Sequence, residues 1–261
     1  ILVVELTLSC LHAFTVTRKI DSRNIKRCTR DSDKYNECLR DAIQDGISKF
    51  AKGVPELGVP VLDPYLTELH EVTYGNGFIN GKMTVKNANT YGTSRARVLG
   101  VKATVGEGSH RLEIDVLFPR ILIEGEYKAE GRLNEFVIGG KGFFNVSMEG
   151  VRTIWDITGS VEDDRWVIKH FRMLPEVEKM KVYFDDLFNG SESISKLILF
   201  VDAEKYQLIC FAVSSARGFI NEYWSLFYKE LLPVTAVEWD KQMTAFLNVI
   251  FSKLSYSKLF A

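Results

Sequence analysis

The chain has 261 residues, enough for one large domain or two small ones with a substantial core. Its 33 basic and 34 acidic residues leave a formal charge of −1 and are scattered rather than blocked, so there is no electrostatic case for nucleic acid and no basic stretch for a membrane-surface helix. At 46 % apolar and 26 % charged, the composition is that of an ordinary globular protein.

The first stretch, ILVVELTLSCLHAF, is apolar and too short to span a bilayer. Small residues follow at cleavage spacing from Ala13 to Thr15, so residues 1–15 read as a partial secretory signal and 16–261 as a single domain. The competing reading is a buried first strand. Four cysteines agree with export: Cys10, Cys28, Cys38 and Cys210. With Cys10 removed in the signal, CTRDSDKYNEC holds Cys28 and Cys38 on a polar loop, which in a secreted chain reads as a disulfide. Closing that loop stabilises by roughly 2–3 kcal/mol in the chain-entropy picture. Half of a metal site is the alternative, but the pair lacks CxxC spacing and a nearby His. Cys210 has no obvious partner.

Leu39, Ala42, Ile43, Ile47 and Phe50 fall at helical spacing, and Gly53 is placed as a C-cap. GVPELGVPVLDPYL, residues 53–66, then carries Pro55, Pro60 and Pro64 among apolar residues. Proline donates no backbone hydrogen bond, so this is neither a helix interior nor a central strand. It predicts a stiff segment covering the apolar interior at one end of the molecule.

Residues 72–184 alternate as antiparallel strands do. In RLEIDVLF, Leu112, Ile114, Val116 and Phe118 share a dry face. In ILIEGEYK, Ile121, Ile123 and Tyr127 do. In FFNVSME, Phe144, Val146 and Met148 oppose Asn145, Ser147 and Glu149. Asn145 opens the sequon NVS on the wet face, where a glycan can sit, and Asn189 opens a second, NGS.

The C-terminal part reads as a long helix or two abutting ones. Ile220, Trp224, Phe227, Leu231 and Val234 form one stripe. Leu232, Ala236, Trp239, Met243, Phe246, Ile250 and Leu254 form another, shifted by one residue at Pro233. A one-sided sheet and a one-sided helix each need a partner, and the economical solution is each other. The fold class is α+β: a strongly curved antiparallel sheet wrapped around a long C-terminal helix.

These residues resemble the insect takeout / juvenile hormone binding protein family. The likeness is carried by Cys28 and Cys38 in C…NECL, by GVPELGVPVLDPY, LIEGEYKAEGRL and IGGKGFFNVSMEGV, and by FINEYW, LLPV, FLNVIF and YSKLF towards the end. It spans about residues 25–190 and 219–261. The resemblance implies a tubular lipid-binding fold enclosing a hydrophobic tunnel, and a secreted, monomeric carrier of a terpenoid, quinone or fatty acyl molecule. Such proteins are connected with feeding, circadian timing, courtship and chemosensation. Cys28–Cys38 matches the family's N-terminal disulfide. The second disulfide of the dedicated hormone binders is not supported, which favours a takeout-like chain. Residues 191–218 depart from the family pattern. They read as an inserted hairpin or, preferably, as translation of an unspliced segment, since a long insertion there has no local partner.

With the resemblance, the dry faces become the expected tunnel lining. Phe50 and Leu62 come from the first helix and the proline segment. Ile114, Val116, Ile123, Tyr127, Phe144 and Val146 come from the sheet. Trp224, Phe227, Leu231, Trp239, Met243, Phe246 and Ile250 come from the helix. Ordinary core is the competing reading of the same side chains. Tyr127 is the candidate polar selector; the rival is a tyrosine bonded to backbone. No catalytic residue, metal or cofactor is expected. GNGFING lacks the third glycine of a dinucleotide loop, His70–Glu71 lacks the second His of HExxH, and there is no GxSxG. Asp163 and Asp164 read as a solvated turn. The expected partner is a small hydrophobic ligand, with no nucleic acid and no stable membrane insertion. A signalling protein holding a structural lipid, a lipid-transfer protein and a hydrolase of lipophilic esters are the alternatives.

Overall fold

The computed structural model describes residues 26–75, 79–133, 136–186, 196–201, 207–212 and 216–260. The signal reading, Cys10 and Asn189 lie outside the described residues, as do the side chains of Phe227 and Cys210. Cys28 and Cys38 are joined by a disulfide. Cys38 lies in the first turns of helix α1 (Tyr35–Phe50) rather than on a loop, and Gly53, at φ +81°, donates its N–H to the Phe50 carbonyl as the helix closes.

The proline segment rolls into a short 3-10 turn at Pro55–Leu57, braced by paired backbone hydrogen bonds between Val54 and Val59. Both valines are buried against Ile250, with Phe50, Leu57, Leu62, Phe246 and Leu254 around them. The stiff, oily segment therefore rests on the far end of the C-terminal helix. Gly58 makes this fit possible: at φ +76° a Cβ would come within 2.8 Å of Val249.

Seven strands form one antiparallel sheet: β1 (Tyr65–Gly75), β2 (Ile79–Tyr91), β3 (Arg97–Gly106), β4 (Ser109–Leu133), β5 (Phe136–Glu162), β6 (Arg165–Arg172) and β7 (Glu176–Phe184). The two long strands β4 and β5 pair along their whole length. β3 and β2 share the free edge of β4, and β6 and β7 share that of β5. RLEIDVLF and ILIEGEYK are thus halves of one strand. Pro119, which has no N–H to give the ladder, lies between them, opposite Gly150 at φ +60°. The dry face passes from even-numbered to odd-numbered residues at Pro119, and from odd to even at Gly150 going backwards, so both strands keep their apolar side inward through the kink. The β5–β6 turn places Asp163 and Asp164 at φ +48° and +57°, the geometry Asp tolerates in a tight hairpin. On the outer face Arg111 pairs with Asp156 and Arg152 with Asp115, both at 2.7 Å.

Among the described residues, β8 (Lys196–Val201) and β9 (Gln207–Ala212) pair antiparallel with each other and not with the main sheet. Helix α2 (Ala216–Phe251) is a single element with Pro233 inside it, and α3 (Tyr256–Leu259) ends the chain. Leu254 lies beyond the end of α2 rather than on its stripe. Leu231 and Val234 are largely exposed, so the first stripe does not stay buried through the proline. Among the described residues no helix is long and apolar enough to cross a membrane.

The helices are fastened to exposed strand edges by side-chain amides and carboxylates. Gln44 accepts from Val98 N–H at 2.8 Å and donates to Ala96 carbonyl at 2.9 Å, holding α1 on β3. Asn221 does the same for Val182 on β7, and Asn248 for Ile168 on β6. Asp240 accepts from Phe171 N–H at 2.7 Å. Each amide imitates the missing neighbour strand and satisfies edge groups that would otherwise face the interior unpaired. The outcome is a curved, open half-barrel packed against α2. It is not an enclosed tunnel among the described residues, because α2 is stitched to the β6–β7 side while clefts remain along its flanks.

Candidate functional site

The interior divides into three apolar clusters with different cover. At one end, α1 lies over the sheet. There Ile114 and Val116 pack solidly with Leu39, Leu112, Ile157, Trp166 and Phe171, and Met243 reaches the same cluster from α2. Val116 is fully buried by side chains. The second cluster is the proline cap, which holds Phe50, Leu62, Phe246 and Ile250.

The third lies beyond the Pro119–Gly150 kink. Tyr127 and Phe144 are buried beside Ala88, with Val85, Ile123, Val146 and Phe184 around them. Tyr127 sits edge-on to Phe184 at 4.7 Å between ring centres, and Phe184 stacks on Phe144 at 5.9 Å. Phe184 and Val85 were not singled out in the sequence, although both sit at dry-face positions of alternating runs. The Tyr127 hydroxyl donates to the Asp185 carbonyl at 2.5 Å. Burial, then the nearby Asp186 and Asp185 carboxylates, push that phenol up to about 12. The hydroxyl is therefore held by backbone, the rival of the two expectations for it.

Two open clefts lie along α2, each lined by a strand residue that pairs in register with a residue of this cluster. One of about 480 Å³ lies between α2 and β7, lined by Met180, Val182, Asn221 and Trp224 with Glu178 and two lysines at the rim. Val182 pairs in register with Val146 of the cluster. The other, of about 600 Å³, lies between α2 and β1, lined by His70, Val72, Thr73, Pro233, Val234 and Val237 among others. His70 pairs with Val85 of the cluster. Trp239 is half-buried on α2, and Leu231 faces outward.

The seam on the β6–β7 side carries the polar fastenings. The Asp240 carboxyl is pushed up by burial, but bonds from Phe171 N–H, His170 and Thr244 outweigh this and hold it below the usual carboxylate range. Tyr228 donates to the Pro175 carbonyl at 2.8 Å, and burial pushes its phenol up to about 12. Sequence reasoning missed Asn221, Asp240 and Asn248. A lone polar residue inside the apolar run FLNVIF was the available signal.

Comparison with known proteins agrees with this geometry. The family model described as haemolymph juvenile hormone binding protein (JHBP) matches residues 3–210. The crystal structure of Takeout 1 from Epiphyas postvittana aligns with a TM-score of 0.67 at 19 % identity, covering 90 % of this chain and 99 % of that one, which is a likeness of fold. A lipopolysaccharide binding protein aligns at a TM-score of 0.29 and 14 % identity, over 80 % of this chain and 38 % of that one, too low to carry weight. No curated protein matches. A closed disulfide and membership of a haemolymph family are those of a secreted, extracellular protein. The chain belongs to the insect takeout/juvenile hormone binding protein family of the tubular lipid-binding superfamily, whose members are non-catalytic carriers.

Proposed function

We propose that the protein carries a small hydrophobic ligand, a juvenile-hormone-like terpenoid, a quinone or a fatty acyl molecule, along the Tyr127–Phe144–Phe184 face between the sheet and the first half of α2. One observation carries this reading: both clefts beside α2 are lined by strand residues, Val182 and His70, that pair in register with Val146 and Val85 of that cluster, whereas the opposite end is packed under α1. Covering about 400 Å² of ligand apolar surface is worth on the order of 10 kcal/mol gross. Association and ordering remove a large part, leaving micromolar to nanomolar affinity. With Tyr127 committed to backbone, selection falls on cavity shape more than on that hydroxyl. In the same reading the chain acts as a monomer, and Asn145, on the β5 face away from Phe144, carries a glycan.

Native mass spectrometry of protein from its own source, with extraction of what it holds, tests the assignment together with titration of a lipophilic fluorescent probe. One bound lipophile and saturable, displaceable probe uptake are expected. No saturable uptake refutes the carrier reading. A lipid that never exchanges points instead to a signalling protein with a structural lipid, and vesicle-to-vesicle transfer points to a lipid-transfer protein.

A further inference from the structure

His110, the second residue of β4 and paired with Val105 beside the β3–β4 hairpin, is almost completely buried at 1 % exposure. Its ring stacks on Trp166 of β6 at 4.9 Å and meets the edges of Tyr256 at 5.5 Å and Phe260 at 4.5 Å. Neither ring nitrogen has a hydrogen-bond partner among the described residues. Buried imidazoles ordinarily engage at least one such partner.

Three segments meet this ring of β4. Cys28 of the disulfide loop bridges to Phe260 through backbone, and Arg30 of the same loop lies 4.8 Å above the Tyr256 ring. The start of β6 contributes Trp166, and Asp164 of the preceding turn caps α3 by accepting from Ser255 Oγ and from Ser257 N–H. The C-terminal segment contributes Tyr256 and Phe260. The charged or titratable groups around His110 are therefore Arg30 from the disulfide loop, Tyr35 from α1, which lies near Arg30 and Tyr256, and Tyr256 itself. No carboxylate faces the ring among the groups that influence it.

We propose that this aromatic box is an acid-operated latch, in which protonation of His110 frees the C-terminal segment and the disulfide loop from the end of the sheet. A neutral imidazole fits a box of aromatic rings. An imidazolium there has two N–H donors, no acceptor and a guanidinium beside it. Burial, then Arg30, lower the imidazole from 6.5 to about 4. Once freed, it titrates near its ordinary value. A lowered folded-state value contributes stability that is complete above pH 6.5 and lost as pH falls towards 4. The open form gains about 80-fold by pH 4.5 and approaches a limit of about 300-fold, ten raised to the difference between the two values, only well below pH 4. The latch stands independently of which ligand the protein carries.

Hydrogen–deuterium exchange of the full chain between pH 7.5 and 4.5, expressed as protection factors so that the intrinsic pH dependence cancels, reads this directly. Peptides covering 107–116 and 252–260 are expected to lose protection by about 10- to 80-fold, while the β5 stretch around 144–152 keeps it. His110→Phe keeps a ring in the box and removes the titration, so its protection is expected to stay flat. Should His110→Phe fail to fold at pH 7.5, Arg30→Gln decides, because removing the neighbouring cation must shrink the loss relative to wild type. The latch is overturned by flat wild-type protection, by an equal loss in His110→Phe or Arg30→Gln, or by a loss spread evenly through the sheet.

Discussion

Replacing Asn248 by alanine tests whether α2 is held to the sheet by amides that stand in for a missing strand. Asn248 accepts from Ile168 N–H and donates to Ile168 carbonyl, both at 2.9 Å. Ile168 is only 2 % exposed, so water cannot replace either bond. Two lost bonds with both backbone groups left unpaired cost about 3–4 kcal/mol. Alanine returns roughly 0.6 kcal/mol of helix propensity. The expected net loss is about 3 kcal/mol, or a fall of roughly 6–12 °C in Tm for a chain of this size. Asn221→Ala removes the matching pair at Val182, which is half-buried and within reach of water, so about 1–2 kcal/mol is expected there. Urea unfolding of both variants with the disulfide intact supplies the comparison. A loss below about 0.5 kcal/mol for Asn248→Ala, or a larger loss for Asn221→Ala, refutes the reasoning.

Tyr127→Phe is expected to lower stability by about 1 kcal/mol through the lost bond to Asp185, with ligand preference unchanged; a changed rank order in a competitive probe assay would return the hydroxyl to the ligand. Asp240 is held below its usual range in the folded protein, so its contribution is present above about pH 4 and is lost as pH falls further. Asp240→Asn should therefore give a shallower loss of stability between pH 4 and 2, below the His110 window, and identical acid slopes would contradict this.

Much of the architecture was legible because it rests on local periodicity. Alternation in FFNVSME and RLEIDVLF assigns dry faces whatever the partner strand is, and the structure keeps those faces inward. The disulfide and the helical character of residues 219–251 were readable for the same reason: short spacings and a 3.6-residue repeat are properties of the chain itself. The joining of RLEIDVLF to ILIEGEYK was not readable. A proline normally ends a strand, and only the glycine facing it on the neighbouring strand lets the ladder resume with both faces preserved.

The candidate site was readable only in part. Ile114 and Tyr127 have the same pattern in sequence, yet one is packed under α1 and the other lies beside open clefts. That difference depends on where α1 settles, which Gln44 and the edge of β3 decide. Likewise Asn248 and Asp240 look like flaws in an apolar helix until the bare edge of β6 is brought beside them.

The sequence by itself determined the class of molecule: an exported, disulfide-closed chain with a one-sided sheet, a long apolar helix and a family pattern spread along its length. Tertiary structure alone decided that the half-barrel stays open along α2, and that a histidine indistinguishable from any other lies among four aromatic and cationic neighbours. The physical reason is that burial and hydrogen-bond satisfaction are set by segments distant in the chain, so neither can be read from a residue's own neighbours.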